Sequence, residues 1–188
     1  SEEHIRAEVM EDNGIRHYSL INFPEFIIIA SEIIYKERIV HDDKLFLSYF
    51  APFKRITTSE DARYFINSLL KLRFLFDTYI VKLSNNEWSL ARYIDANDFI
   101  QTFGSLNQEL VAIESMYASA LSEEWIENAL SYLYEHPHLE GNDFMSYLEG
   151  LLPSFKGMKY ELYKNAYLET GKPSIPYLVI NDGRLVKA

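Results

Sequence analysis

Apolar residues recur at spacings of three and four in one long stretch: Ala62, Phe65, Ile66, Leu69, Leu72, Phe76 and Ile80. That period predicts a helical spine over Ala62–Lys82. Thr58 or Ser59 supplies its cap, and Glu60 and Asp61 suit the positive end of the helix dipole. Phe74, Leu75, Tyr79 and Val81 add apolar surface outside the stripe, which predicts a helix enclosed on most of its circumference. Ser84-Asn-Asn-Glu87 ends it, and a loop follows through Gly104.

The same reading places other elements on either side. Ile5–Met10 and Ile15–Leu20 around Glu11-Asp-Asn-Gly14 form a candidate β-hairpin, because Asn-Gly tolerates positive φ in a tight turn. Asn22 and Pro24 start a helix over Phe23–Lys36, although Phe26-Ile-Ile-Ile29 has strand-like propensity. A short helix is expected from Asp42-Asp43 to Phe50, stopping before Pro52. Asn107–Ala120 carries Leu110, Ile113, Met116 and Tyr117 on one side; Ser122-Glu-Glu-Trp125 opens a further helix that ends before Pro137. Asn142 is the expected cap of a helix from Asp143 to Leu152, and another spans Met158–Leu168. Ile175–Ile180 with Asn181-Asp-Gly183 reads either as a strand entering a turn or as an abbreviated helix.

The fold class expected is therefore mainly α: a multi-helix bundle around a long central helix, with room for a small N-terminal β-hairpin. Residues 1–21 would form the hairpin or an extended leading segment, and residues 22–188 the helical domain.

Composition agrees with a folded, helix-leaning chain. Of 188 residues 48% are hydrophobic, with 14 Tyr and 12 Phe, while Gly is only 7 and Pro 6. The longest apolar run, Phe26–Ala30, is far short of the ~20 residues a membrane span needs, and the first residues lack a signal-peptide core. Cysteine is absent, which removes disulfides, thiolate nucleophiles and Cys-based metal sites and is compatible with a cytoplasmic location. The net charge is −10, the opposite of a generic DNA-binding surface. It is unevenly spread. From Ser154 to Ala188 six basic residues face three acids, a local charge of +3, whereas residues 1–153 hold 12 basic and 25 acidic groups. The plainer reading is a solvated tail on an acidic body; the sharper one is a surface facing nucleic acid or an acidic neighbour.

Chemistry-bearing residues are few, and each has a plainer explanation. Arg73 and Asp77, four apart on the central helix, make a candidate structural ion pair; the functional alternative is an Arg contacting phosphate or an adjoining domain. His136-Pro-His138, near Glu135 and Glu140, resembles half of a metal site, yet a site needs three or four ligands and an exposed loop suits these residues better. His41-Asp42-Asp43 reads first as a helix start. His17, Ser19 and Asp12 do not by themselves specify a nucleophile triad, and Trp88, Arg92 and Tyr93 could stack bases, although Trp88 more plainly anchors the loop after the spine. The seven glycines are scattered and form no phosphate loop. No catalytic residue, cofactor or metal ligand is assigned from these patterns.

Several segments in order carry a resemblance. They are "HYSLINFPEFIIIASEII" followed by "DDKLF", "FINSLLKLRFLFDTYIVK" with "EWSL" after it, "LVAIESMYASALSEEWIENALSYL", and "KPSIPYLVIND". Together they resemble the all-helical middle region of GmrSD-type, modification-dependent restriction endonucleases. In that family the helical region lies between a ParB/sulfiredoxin-like nucleotide-hydrolysing unit, marked by Asp-Gly-Gln-Gln-Arg, and a nuclease unit of the His-Asn-His type. Neither motif occurs in these residues. Here Asp182-Gly183-Arg184 replaces the family's usual aromatic-rich continuation. The resemblance implies a non-catalytic scaffold or coupling module, excised from the middle of a larger prokaryotic defence protein, whose partners are the flanking units. Two other classes stand beside it: a free-standing protein-interaction module, monomeric or homodimeric, using exposed aromatics among its 14 tyrosines, and a metal-dependent hydrolase using His136, His138 and nearby acids.

Overall fold

The side chain of Asn22 accepts from the N–H of Glu25, and the carboxylate of Glu25 accepts from the N–H of Asn22, both at 2.9 Å. This reciprocal box starts helix α1, Phe23–Tyr35, with Pro24 in the first turn. The computed structural model describes residues 9–12, 15–38, 54–84, 87–90, 92–95, 98–100, 103, 106–120, 124–151, 168–169, 178–181 and 184–187. Thr58 and Asp61 form a second capping box at the start of α2, Ser59–Tyr79. Three more helices follow among the described residues: α3, Asn107–Ala120; α4, Glu124–Glu135; and α5, Gly141–Leu151. The expected helices over 42–50 and most of 158–168 lie outside the described residues.

The chain is mainly helical, as the periodicity predicts, and α2 is its longest described helix. α1, α2 and α4 pack on one another, α3 packs on α5, and α4 packs on α5. Their shared core includes Phe26, Leu72, Phe76, Ile113, Leu130 and Phe144. Phe26 meets Phe76 edge-on with ring centroids 5.7 Å apart, and Tyr35 stacks on Phe65 at 6.1 Å.

Which helix is enclosed differs from expectation. Nine consecutive residues of α1, Phe26–Ile34, are buried, whereas α2 buries only Phe65, Ser68, Leu72, Phe76 and Thr78. Ile66, Leu70 and Phe74 of α2 are 53%, 63% and 52% exposed. The physical reason lies in what accompanies the apolar residues. Arg63, Asn67, Arg73 and Asp77 share the arc of Ile66, Leu70 and Phe74, and enclosing that arc would strand charges away from water. In α1 the buried run contains only Ser31 and Glu32 as polar residues, and Ser31 Oγ donates to the Ile27 carbonyl at 2.6 Å.

The strands are more extensive than the sequence pattern indicates. β1, Val9–Asp12, and β2, Ile15–Tyr18, form the N-terminal hairpin, with Glu11 and Asp12 in the strand rather than in the turn. The segment expected to be a break and loop after α2 instead holds β3, Lys82–Ser84, and β4, Glu87–Ser89. β2 pairs antiparallel with β3, giving a four-stranded sheet in the order β1-β2-β3-β4. Trp88 therefore stands in a strand, opposite Leu83, and packs partly buried against the core. β5, Arg92–Asp95, and β6, Asp98–Ile100, form a separate ribbon, and β7, Leu178–Asn181, pairs with β8, Arg184–Lys187. β7 places Leu178–Ile180 of the Ile175–Ile180 segment in a strand, while 175–177 and 182–183 lie outside the described residues.

α5 also starts two residues early, at Gly141 rather than Asp143. The N–H groups of Asp143 and Phe144 donate to the Glu140 carbonyl at 3.1 and 3.2 Å, so Asn142 lies within the first turn rather than at the cap.

Candidate functional site

The outer face of α2 is built by the mismatch between its two sides. Its inner side is tied down by more than apolar contact. Lys71 Nζ donates to the Tyr134 carbonyl at 3.0 Å and lies 4.2 Å from the centre of the Tyr134 ring, and the Tyr134 hydroxyl donates to Ser68 Oγ at 3.1 Å. These contacts fix the rotation of α2 against α4. With that rotation set, Ile66, Leu70 and Phe74 come one per turn along the exposed side.

Arg73 and Asp77 border this stripe. Arg73 Nε donates to Asp77 Oδ2 at 2.8 Å, with the two side chains 45% and 35% exposed. The same guanidinium lies 5.7 Å from the Phe26 ring centre and 5.5 Å from that of Phe76. It is thus held by a carboxylate on its own helix and by two aromatic rings, which accounts for an Arg among Phe and Leu without a ligand. Lys82 Nζ closes the end of the helix by donating to the Asp77 carbonyl.

Beneath the C-terminal end of α2 is a feature that pattern reasoning missed. Glu114, on α3, is fully buried, and its Oε2 accepts the N–H of Val81 at 2.8 Å. Val81 is itself 1% exposed, so its N–H requires an acceptor inside the protein. Burial pushes the Glu114 carboxyl well above the usual carboxylate range; the Val81 N–H and the positive charge of Lys82 pull in the opposite direction. The signal was present in the spacing. Glu114 stands four residues after Leu110 and three before Tyr117, on the apolar side of its helix. Near it, the Tyr117 hydroxyl donates to the Leu148 carbonyl at 2.7 Å, and burial raises that phenol.

The remaining candidates are dispersed. His136 and His138 lie exposed between α4 and α5, beside an open cleft of about 630 Å³. His136 Nδ1 is 2.8 Å from the Tyr132 carbonyl, and Glu135 is paired with Lys36 at 3.0 Å. The Lys36 ammonium lowers the Glu135 carboxyl. Glu140 provides the backbone start of α5. Among the described residues no three His, Asp or Glu side chains converge as a metal site. Tyr132 stacks face to face on Tyr147 with centroids 3.8 Å apart, so the aromatic surface in this cleft is spent on itself.

His17, in β2, stands opposite Met10 and Ser84, while Asp12 is the last residue of β1. Ser19 Oγ donates to the Ile21 carbonyl at 2.7 Å. Arg92 and Tyr93 pair with Ile100 and Phe99 in the β5–β6 ribbon. His41, Asp42 and Asp43 lie outside the described residues, as does most of the basic segment 154–188.

No described helix is long and apolar enough to cross a membrane. In comparisons with known proteins, no family model, no curated protein and no solved structure matches the chain.

Proposed function

We propose that this chain is a non-catalytic helical scaffold and interaction module, working through the outer face of α2. The observation that carries the reading is that face: Ile66, Leu70 and Phe74 stand more than half exposed on a helix whose opposite side is locked into the core. Scattered exposed apolar residues need no explanation, but a row repeating once per turn on a fixed helix suits a contact with another folded surface. On the resemblance of its helical segments, the module belongs to a GmrSD-like restriction protein directed at phage or modified DNA in a prokaryotic cytoplasm. Its neighbours are then a nucleotide-hydrolysing unit and a His-Asn-His nuclease. A shift at one neighbour reaches the other through packed elements, with the Glu114–Val81 contact joining the end of α2 to α3.

The test has two measurements. The purified chain is assayed for nucleotide hydrolysis and DNA cleavage, and the intact mass of the native product is measured in its source. The scaffold reading expects no enzyme-like turnover and a native chain heavier than 22.0 kDa that carries both missing motifs. Turnover by the chain alone would overturn it. A native mass of 22.0 kDa without turnover would favour the second reading, a free-standing interaction module, which the same exposed row supports.

A further inference from the structure

Two pairs on the outer face of α2 are complementary about one residue: apolar Ile66 with apolar Phe74, and basic Arg63 with acidic Asp77. Leu70 is that residue. Ile66 and Phe74 lie four residues to either side, Asn67 and Arg73 three, and Arg63 and Asp77 seven. At about 100° per residue these seven positions fall within an arc of roughly 120°. All are exposed except Asp77, which is half-buried. From the N-terminal end the face reads Arg63, Ile66, Asn67, Leu70, Arg73, Phe74, Asp77: an apolar row with a cation at one end and an acid at the other, Asn67 and Arg73 lying at its edges.

We infer that the occupant of this face is a second copy of the same chain, its α2 antiparallel to the first across a two-fold axis at Leu70. The inference deepens the interaction-module reading and rests on it. In such a pairing Leu70 meets Leu70 of the second copy, Ile66 comes opposite Phe74, and Arg63 comes opposite Asp77. Every contact off the axis then occurs twice, as a two-fold interface requires. Charge selects the direction. A parallel pairing would oppose Arg63 to Arg63 and Asp77 to Asp77, whereas the antiparallel one opposes unlike charges at both ends.

Spacing selects the angle. Arg63, Leu70 and Asp77 stand seven apart, the repeat that keeps a seam facing a partner when helices cross at about 20°. Asp77 Oδ2 is engaged by Arg73 of its own helix, and Oδ1 remains the oxygen on which Arg63 of the second copy would converge. Ile66 and Phe74 flank the seam, so the apolar centre is widest at Leu70 and bounded by charge at each end.

The absence of cysteine makes the test direct, because one introduced thiol is the only reactive one. Three variants are prepared, Leu70→Cys, Ile66→Cys and Phe74→Cys, and treated with a short bis-maleimide at high protein concentration. Leu70→Cys is expected to cross-link to itself. Ile66→Cys and Phe74→Cys are each expected to react poorly alone, since identical positions lie about 12 Å apart along the seam. Mixed together they should give a cross-linked heterodimer.

Light scattering should show a concentration-dependent rise from 22.0 kDa towards twice that mass. Leu70→Glu, which places two carboxylates at the axis, should abolish the rise while far-UV circular dichroism stays unchanged. A single 22.0 kDa species at every concentration overturns the second copy as occupant, as does self-cross-linking of Ile66→Cys as strong as that of Leu70→Cys. Those failures leave the scaffold reading in place, with the face open to a flanking unit. Nucleotide turnover or DNA cleavage by the chain would remove the scaffold reading whatever its oligomeric state.

Discussion

Glu114 Oε2 takes the backbone N–H of Val81, two residues past the last residue of α2, at 2.8 Å. One carboxyl from α3 thereby fixes where the long helix stops and where β3 begins. A carboxyl in that position has two costs to manage: its own removal from water, and the Val81 N–H that would be orphaned without it.

The first prediction follows from the raised Glu114 carboxyl. Above the ordinary carboxylate pKa the unfolded chain has released this proton while the folded chain still holds it. The contribution to stability is therefore fully present below the unfolded value and is lost as pH rises through the raised folded value. Urea unfolding across a pH series should show that decline, and Glu114→Gln should flatten it, because an amide does not titrate. An unchanged slope in the variant would assign the decline to other groups. Glu114→Ala should instead destabilise at every pH, by about 1–3 kcal/mol for the orphaned N–H alone.

Leu70 and Leu72 provide a two-residue contrast on one helix. Leu72 is 0% exposed and Leu70 63%. Leu72→Ala should cost roughly 2–5 kcal/mol, the range for emptying a packed site. Leu70→Ala, measured in dilute protein, should stay within about 0.5 kcal/mol of the parent. Denaturant midpoints at low micromolar concentration test both. Equal losses would mean that α2 is rotated from the orientation set by Lys71 and Tyr134.

Arg73 and Asp77 are expected to be coupled only weakly. Both are substantially exposed, and an i, i+4 pair of this kind contributes about 0.3–0.5 kcal/mol. In a double-mutant cycle with Arg73→Met and Asp77→Asn, the coupling should fall in that range and shrink with added salt. Arg73→Met alone should cost more than Asp77→Asn, because it also loses the approach to the Phe26 and Phe76 rings. The reverse order would argue against the aromatic contacts.

What the sequence revealed, and what it hid, follows the distance between partners. Asn22 with Glu25 and Thr58 with Asp61 are three residues apart, so both helix starts were legible from local chemistry. Glu114 was not, because its partner is 33 residues away and a lone Glu in an apolar helix does not name its acceptor or donor. β3 and β4 have three residues each, too short for an alternating pattern to emerge, and Asn85-Asn86 between them resembled a simple stop. The exchange of roles between α1 and α2 was readable in part. Phe26-Ile-Ile-Ile29 advertised burial on all sides, but its β-branched residues suggested a strand. In α2 the number of apolar residues points to enclosure, but Arg63, Arg73 and Asp77 interleaved among them keep one side in water.

The pairing of β2 with β3 has a consequence for the order of folding. Tyr18 stands opposite Leu83, and the chain between them contains both α1 and α2. Closing so long a loop before those helices dock carries an entropic cost that a two-residue-pair ladder cannot offset. The β1–β2 and β3–β4 hairpins can each form early as local structures, while the seam that joins them waits for α1 and α2 to bring its edges together. Pulse-labelled hydrogen exchange should accordingly find α1 and α2 protected before the amides at the β2–β3 seam; simultaneous protection would refute that sequence of events. The sheet, though only a small part of the chain, would then serve as the last closure that records whether the two core helices have docked correctly.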